Sequence, residues 1–131
     1  MNPMLALRQY QKVGAQAQVS EASPYRLVQM LMEGGLDRIA QAKGAMERKD
    51  VPNKGVLIGK AIGIIGGLRE GLDLENQAEA LADIDSLYAY MSKRLIEANV
   101  KNDPEILNEV ARLLITLKEG WDAIGDQAVD A

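Results

Sequence analysis

The chain has 131 residues, 15 of them basic and 19 acidic, and contains neither cysteine nor histidine. Thiolate and imidazole metal sites, Ser-His and Cys-His nucleophile pairs and disulfide frameworks are therefore excluded. The length fits one domain that buries a core without staples, and the net charge of -4 lacks the basic footprint that nucleic acid demands.

The first 20 residues read as an arm: Met4 to Val13 carries Leu5, Leu7, Tyr10 and Val13 in a short helical pattern, followed by a glycine, alanine and glutamine stretch. No basic region precedes a long apolar run and a small-residue cleavage site, so a soluble, cytoplasmic protein is expected. Two dipeptides then mark helix starts. Ser23-Pro24 and Asp103-Pro104 each put a side-chain oxygen at the N-cap and a proline at the first helical position, where its missing N–H removes nothing. Val51-Pro52-Asn53 falls in a polar break after Glu47-Arg48-Lys49-Asp50 and separates one helical pattern from the next.

Between Pro24 and Arg48 the polar residues Arg26, Gln29, Glu33, Asp37, Gln41 and Arg48 form one narrow line. Leu27, Val28, Met30, Leu31, Met32, Leu36 and Ile39 fill the rest, a wider apolar surface than a core seam needs. The methionines Met30, Met32, Met46 and Met91 read first as core filler and second as adaptable surface for a partner's apolar side chains.

From Gly55 to Leu72 the only charges are Lys60, Arg69 and Glu70, and everything else is aliphatic or glycine. A helix apolar nearly all round must be covered on more than one side. The charges also interrupt the run too early for a membrane span. Gly55, Gly59, Gly63, Gly67 and Gly71 recur every four residues, with Gly66 as an extra. Each interior glycine costs roughly 0.8 to 1 kcal/mol relative to alanine. Three readings stand: close approach of a neighbouring helix, a groove for a partner segment, or local flexibility. A P-loop is ruled out, because three residues rather than four separate Gly55 from Gly59, and Ala61 follows Lys60 where Ser or Thr is needed.

Leu81, Ile84, Tyr88, Met91, Leu95 and Ala98 alternate by three and four, as do Leu107, Val110, Leu114, Leu117, Trp121 and Ile124. The short joint Val100 to Pro104 folds these two amphipathic helices into a hairpin. Asp73 with Glu75 and Asp83 with Asp85 point in different directions or lie in a loop, a solvated face rather than a catalytic pair. Strand alternation is missing over any useful length. The expected fold is all-α, an antiparallel four-helix bundle over residues 21–125, with the arm at 1–20 and a fraying acidic tail at 126–131.

Several groups of residues, read in order, resemble one family. They are Tyr10; Ser23-Pro24 with Leu27 and Leu31; Lys60-Ala61-Ile62 with Ile64-Ile65 and Leu68; the stretch LYAYMSKRLIEANVKNDP; and Trp121. The family is FliS, the flagellin-specific export chaperones, and the likeness covers about residues 4 to 124. It implies a cytoplasmic, non-enzymatic bundle with a short N-terminal helix, which binds flagellin through its disordered C-terminal segment and keeps monomers apart until type III export. It further implies contacts with the export apparatus and other flagellar regulators, no cofactor, and an arm that lies over part of the groove, with Tyr10 as an arm residue. The chain departs from the family at Gly63, Gly66 and Gly67, where longer polar residues are common.

In physical terms a client segment laid along helices with surplus apolar surface would bury it, the helix-in-groove mode. One of two stripes of the glycine-rich helix, Ile58, Ile62, Ile65 and Leu72 or the other, faces the core; spacing alone does not fix which, and the client set takes as the free one Leu57, Ala61, Ile64 and Leu68. With Tyr10, Leu27 and Leu31, these four make up the candidate client-binding set. Catalytic, cofactor and metal residues are not expected. The alternative is an obligate homodimer that pairs the same apolar faces and has no outside client.

Overall fold

In the structure, a computed structural model that describes residues 22–72 and 74–125, four helices follow one another. They are α1 (Pro24–Glu47), α2 (Val51–Glu70), α3 (Leu74–Lys101) and α4 (Pro104–Ile124). The expected arm with Tyr10 and the expected tail lie outside the described residues. Short connections turn each helix back along its predecessor, and the main packing contacts run α1 to α2, α2 to α3, α3 to α4 and α4 to α1. The result is the all-α antiparallel bundle that the sequence predicts.

Both expected caps are made, and Asp50 supplies a third. Ser23 Oγ accepts from Arg26 N at 3.1 Å, Asp50 Oδ1 from Asn53 N at 3.4 Å, and Asp103 Oδ1 from Glu105 N at 2.9 Å. A side-chain cap of this kind contributes about 0.5 to 2 kcal/mol. Helix α3 begins before the apolar stripe that starts at Leu81, and its backbone departs from helical geometry at Gln77 (φ -134°, ψ 35°).

The core runs along the bundle axis through Leu31, Ile58, Ile65, Met91, Leu95 and Leu107. Met30, Met32, Met46 and Met91 are buried, as core filler should be. Lys54 is only 7 % exposed, and its Nζ donates to Asn99 O at 3.1 Å and to Asn102 Oδ1 at 3.0 Å. It thereby places a cation at the carbonyl end of α3, where the helix dipole favours one. Asn102 itself has φ 53°, a left-handed conformation that asparagine tolerates better than most residues.

The division of α2 into a core stripe and a free stripe needs correction. Ile58 and Ile65 are buried as expected, but Ala61 (0 % exposed), Ile64 (7 %) and Leu68 (6 %) are buried as well. Leu57, Ile62 and Leu72 are half-buried against the core. The physical reason is that α2 is wedged between α1 and α3, so its covered arc is wider than one stripe. Beyond its first turn, its outward side carries Val56 (56 % exposed), Gly59, Lys60, Arg69 and Glu70, and a Cβ added at Gly55, Gly59 or Gly66 would meet nothing within 4 Å. The close approach falls instead at Gly35 of α1, where a Cβ would lie 3.1 Å from Leu114 Cδ2 and 3.5 Å from Ile64 Cγ2.

Gly59→Ala should therefore raise stability by about 0.8 to 1 kcal/mol, the propensity difference alone, whereas Gly35→Leu should lower it by about 1 to 3 kcal/mol through overpacking. Thermal melts of the two variants check this. Destabilisation by Gly59→Ala would mean that the outward face of α2 is in contact after all.

Candidate functional site

At one end of the bundle the apolar stripes outrun their cover. Leu81 and Ile84 at the start of α3, Leu117 and Trp121 near the end of α4, and Leu27 and Val28 in the first turns of α1 are only half-buried, and Ile124 is 52 % exposed. Together they line an open hollow of about 740 Å³, to which α2 adds Gly67, Leu68, Gly71 and Leu72. Native interiors leave few voids larger than a water molecule, so a space of this size is a surface trough rather than a packing defect.

The walls are tied together by aromatic side chains. Tyr25 and Trp121 stack with centroids 5.4 Å apart and planes 18° from parallel. Trp121 Nε1 donates to Tyr25 O at 3.0 Å, and Tyr25 Oη donates to Asp122 O at 3.1 Å. Gln29 Nε2 donates both to Tyr25 Oη at 3.1 Å and to Asp122 Oδ1 at 2.6 Å, and Lys118 Nζ donates to Asp122 Oδ2 at 2.8 Å. Hydrogen bonds from Lys118 and Gln29 hold the Asp122 carboxyl below its usual range, and the bond to Asp122 raises Lys118 in turn. These charged groups form a clasp at the rim. Among the described residues, no charged side chain lines the trough itself.

Among the described residues, three lining side chains carry a nitrogen or oxygen. Thr116 Oγ1 donates to Arg112 O at 3.1 Å, and Trp121 is used in the clasp. The third, Tyr88, is 4 % exposed, and burial pushes its phenol up to about 12. A separate polar cluster lies on the outer face of the α3–α4 hairpin, where Tyr90 Oη and Arg94 Nε donate to the Glu109 carboxylate, each at 2.7 Å. These bonds hold Glu109 below the usual carboxylate range.

Of the candidate client-binding residues, the structure brings Leu27, Leu31 and Leu68 together in the trough. Leu57 lies apart, in a shallower hollow between α1 and α2 with Gly44, Arg48 and Asn53. Ala61 and Ile64 belong to the core, and Tyr10 is outside the described residues. Sequence reasoning did not single out the contributions of Val28, Ile84, Leu117 and Trp121 to a site. They were visible as stripe members, but spacing alone cannot say where along the bundle a stripe goes uncovered.

The trough and the fold define a helical protein that offers apolar surface rather than reacting groups. No described helix is long and apolar enough to cross a membrane, and among the described residues no cluster of acidic side chains could hold a metal. Sequence comparison gives the family: the model described as flagellar protein FliS matches residues 6–128, and the chain belongs to that family. It is similar to flagellar secretion chaperone FliSB of Pseudomonas aeruginosa, with 59 % identity over 95 % of this chain and 98 % of the relative. Flagellar secretion chaperone FliS of Vibrio cholerae is 40 % identical over 91 % of this chain and 88 % of its own. The Salmonella typhimurium protein of the same name is 37 % identical over 93 % and 91 %. This is a family of non-enzymatic chaperones.

Ile64→Asp should unfold or strongly destabilise the protein, by about 3 to 5 kcal/mol for an uncompensated buried charge. Ile124→Asp at the open end of the trough should stay within about 0.5 kcal/mol of the parent. Helicity followed by circular dichroism during melting separates them. A folded Ile64→Asp variant of parental stability would return Ile64 to an accessible face.

Proposed function

We propose that this chain is a cytoplasmic flagellar secretion chaperone that holds the C-terminal segment of flagellin in the trough and so keeps monomers from polymerising before type III export. The observation that carries the reading is an apolar hollow of about 740 Å³, walled by all four helices and, among the described residues, uncharged and open. An amphipathic segment seated there would bury its own anchors against Leu27, Leu31 and Leu68 together with Leu117 and Trp121. Family membership supplies the flagellar context, and the resemblance supplies flagellin as the client.

The energetics suit a carrier. Coupled folding and binding of a disordered segment typically buries about 1,000 to 3,000 Å² and costs roughly 2 to 5 kcal/mol in ordering. Binding is then tight enough to sequester a monomer and weak enough to release it. The export apparatus and other flagellar regulators are the remaining partners of this reading.

Titration calorimetry of the full chain with a synthetic peptide of the flagellin C-terminus should give saturable binding whose enthalpy becomes more negative with temperature, the mark of apolar burial. No binding, together with a dimer that yields no stable monomer on dilution, would favour an obligate homodimer without a client.

A further inference from the structure

The hydroxyl of Tyr88 is the one polar side-chain group lining the trough that hydrogen-bonds to no other group among the described residues. The other two lining groups have the partners given above: Thr116 Oγ1 on Arg112 O, and Trp121 Nε1 on Tyr25 O. Tyr88 sits on the same stripe as Ile84 and Met91, with its ring packed in the core cluster. In the trough that hydroxyl still reaches water, since no fully buried side-chain oxygen or nitrogen among the described residues lacks a partner; an occupant that shuts the water out would leave this donor and acceptor unpaired, which is costly. Phenylalanine would fill the same space without that cost. A tyrosine at this position therefore calls for a partner that arrives with the occupant.

The lining also fixes the chemistry of that partner. A carboxylate or ammonium brought to Tyr88 would lose its water and meet no counter-charge among the described residues, none of whose lining side chains is charged. A neutral group meets no such penalty. It is either a main-chain carbonyl freed at a bend or helix end, or an amide or hydroxyl side chain set among apolar anchors.

We propose that Tyr88 is a specificity-determining residue of the trough, whose hydroxyl hydrogen-bonds to a neutral polar group of the bound flagellin segment and so sets its register. Apolar anchors alone slide along an apolar wall at little cost, whereas one buried hydrogen-bonding group penalises every alignment that leaves it unpaired. The inference rests on the flagellin reading above, and its test keeps the two apart.

The test compares the full-length protein and its Tyr88→Phe variant for binding of the synthetic flagellin C-terminal peptide by calorimetry at several temperatures. The expected result is affinity about 3- to 10-fold lower in the variant, with a less favourable enthalpy. The heat-capacity change should stay unaltered, because the apolar contact is kept. The melting temperature of the free variant should be equal or higher, because the free protein loses no hydrogen bond; a purely structural role would lower it instead. Tyr88→Met, flexible enough to refill the space, gives a second reading of the same contact should Phe fail to fold. Equal or tighter binding by a folded variant overturns the role of Tyr88 and leaves the flagellin reading standing. Failure of the parent protein to bind the peptide overturns the flagellin reading, and this inference with it.

Discussion

The junction between the first turn of α1 and the last turns of α4 governs the shape of everything around it. Stacking of Tyr25 on Trp121 at 5.4 Å is worth about 0.5 to 1.5 kcal/mol beyond the area it buries. The bonds from Trp121 to the Tyr25 carbonyl and from Tyr25 to the Asp122 carbonyl fix the relative height of the two helices. With this junction closed on one side and the α2–α3 turn on the other, the ends of four apolar stripes face a common space that none of them fills. A bundle with aliphatic side chains interdigitated at this junction would close like its middle, where Leu31, Ile65, Met91 and Leu107 leave no such space.

The polar groups are distributed to match. Ions sit at the rim, as in the Gln29, Lys118 and Asp122 cluster, on the outer hairpin face with Arg94 and Glu109, or at the far end, where Lys54 meets the carbonyl terminus of α3. Among the described residues the trough is left neutral. On the proposed reading, affinity for a client comes from apolar contact, which is insensitive to which apolar residue makes it, and the Tyr88 phenol supplies direction. That division suits a protein that must hold a segment firmly in the right alignment and still surrender it.

Much of the fold was legible in the sequence because its signals are local. Ser23-Pro24 and Asp103-Pro104 announced the starts of α1 and α4 through cap chemistry that depends on nothing distant. The stripes from Leu81 and Leu107 announced the hairpin. The glycine-rich helix misled, because glycine was counted as apolar surface when it carries no side chain to bury. The outward face of α2 carries Val56 and Lys60 beside the open positions Gly55, Gly59 and Gly66, and Ile64 is in the core. Leu27, Leu31 and Leu68 reach the trough, but the spacing of Val28, Ile84 and Trp121 does not place them there, because periodicity names a face without naming its neighbour.

The central claim is that the client occupies the space beside Trp121, the only tryptophan in the chain. Emission of Trp121 reports on that space directly. On saturating the full-length protein with the flagellin C-terminal peptide, the account predicts a shift of the emission to shorter wavelength and reduced quenching by acrylamide, both following the binding isotherm. A peptide that binds while emission and quenching stay unaltered would place the client elsewhere on the bundle and contradict the account.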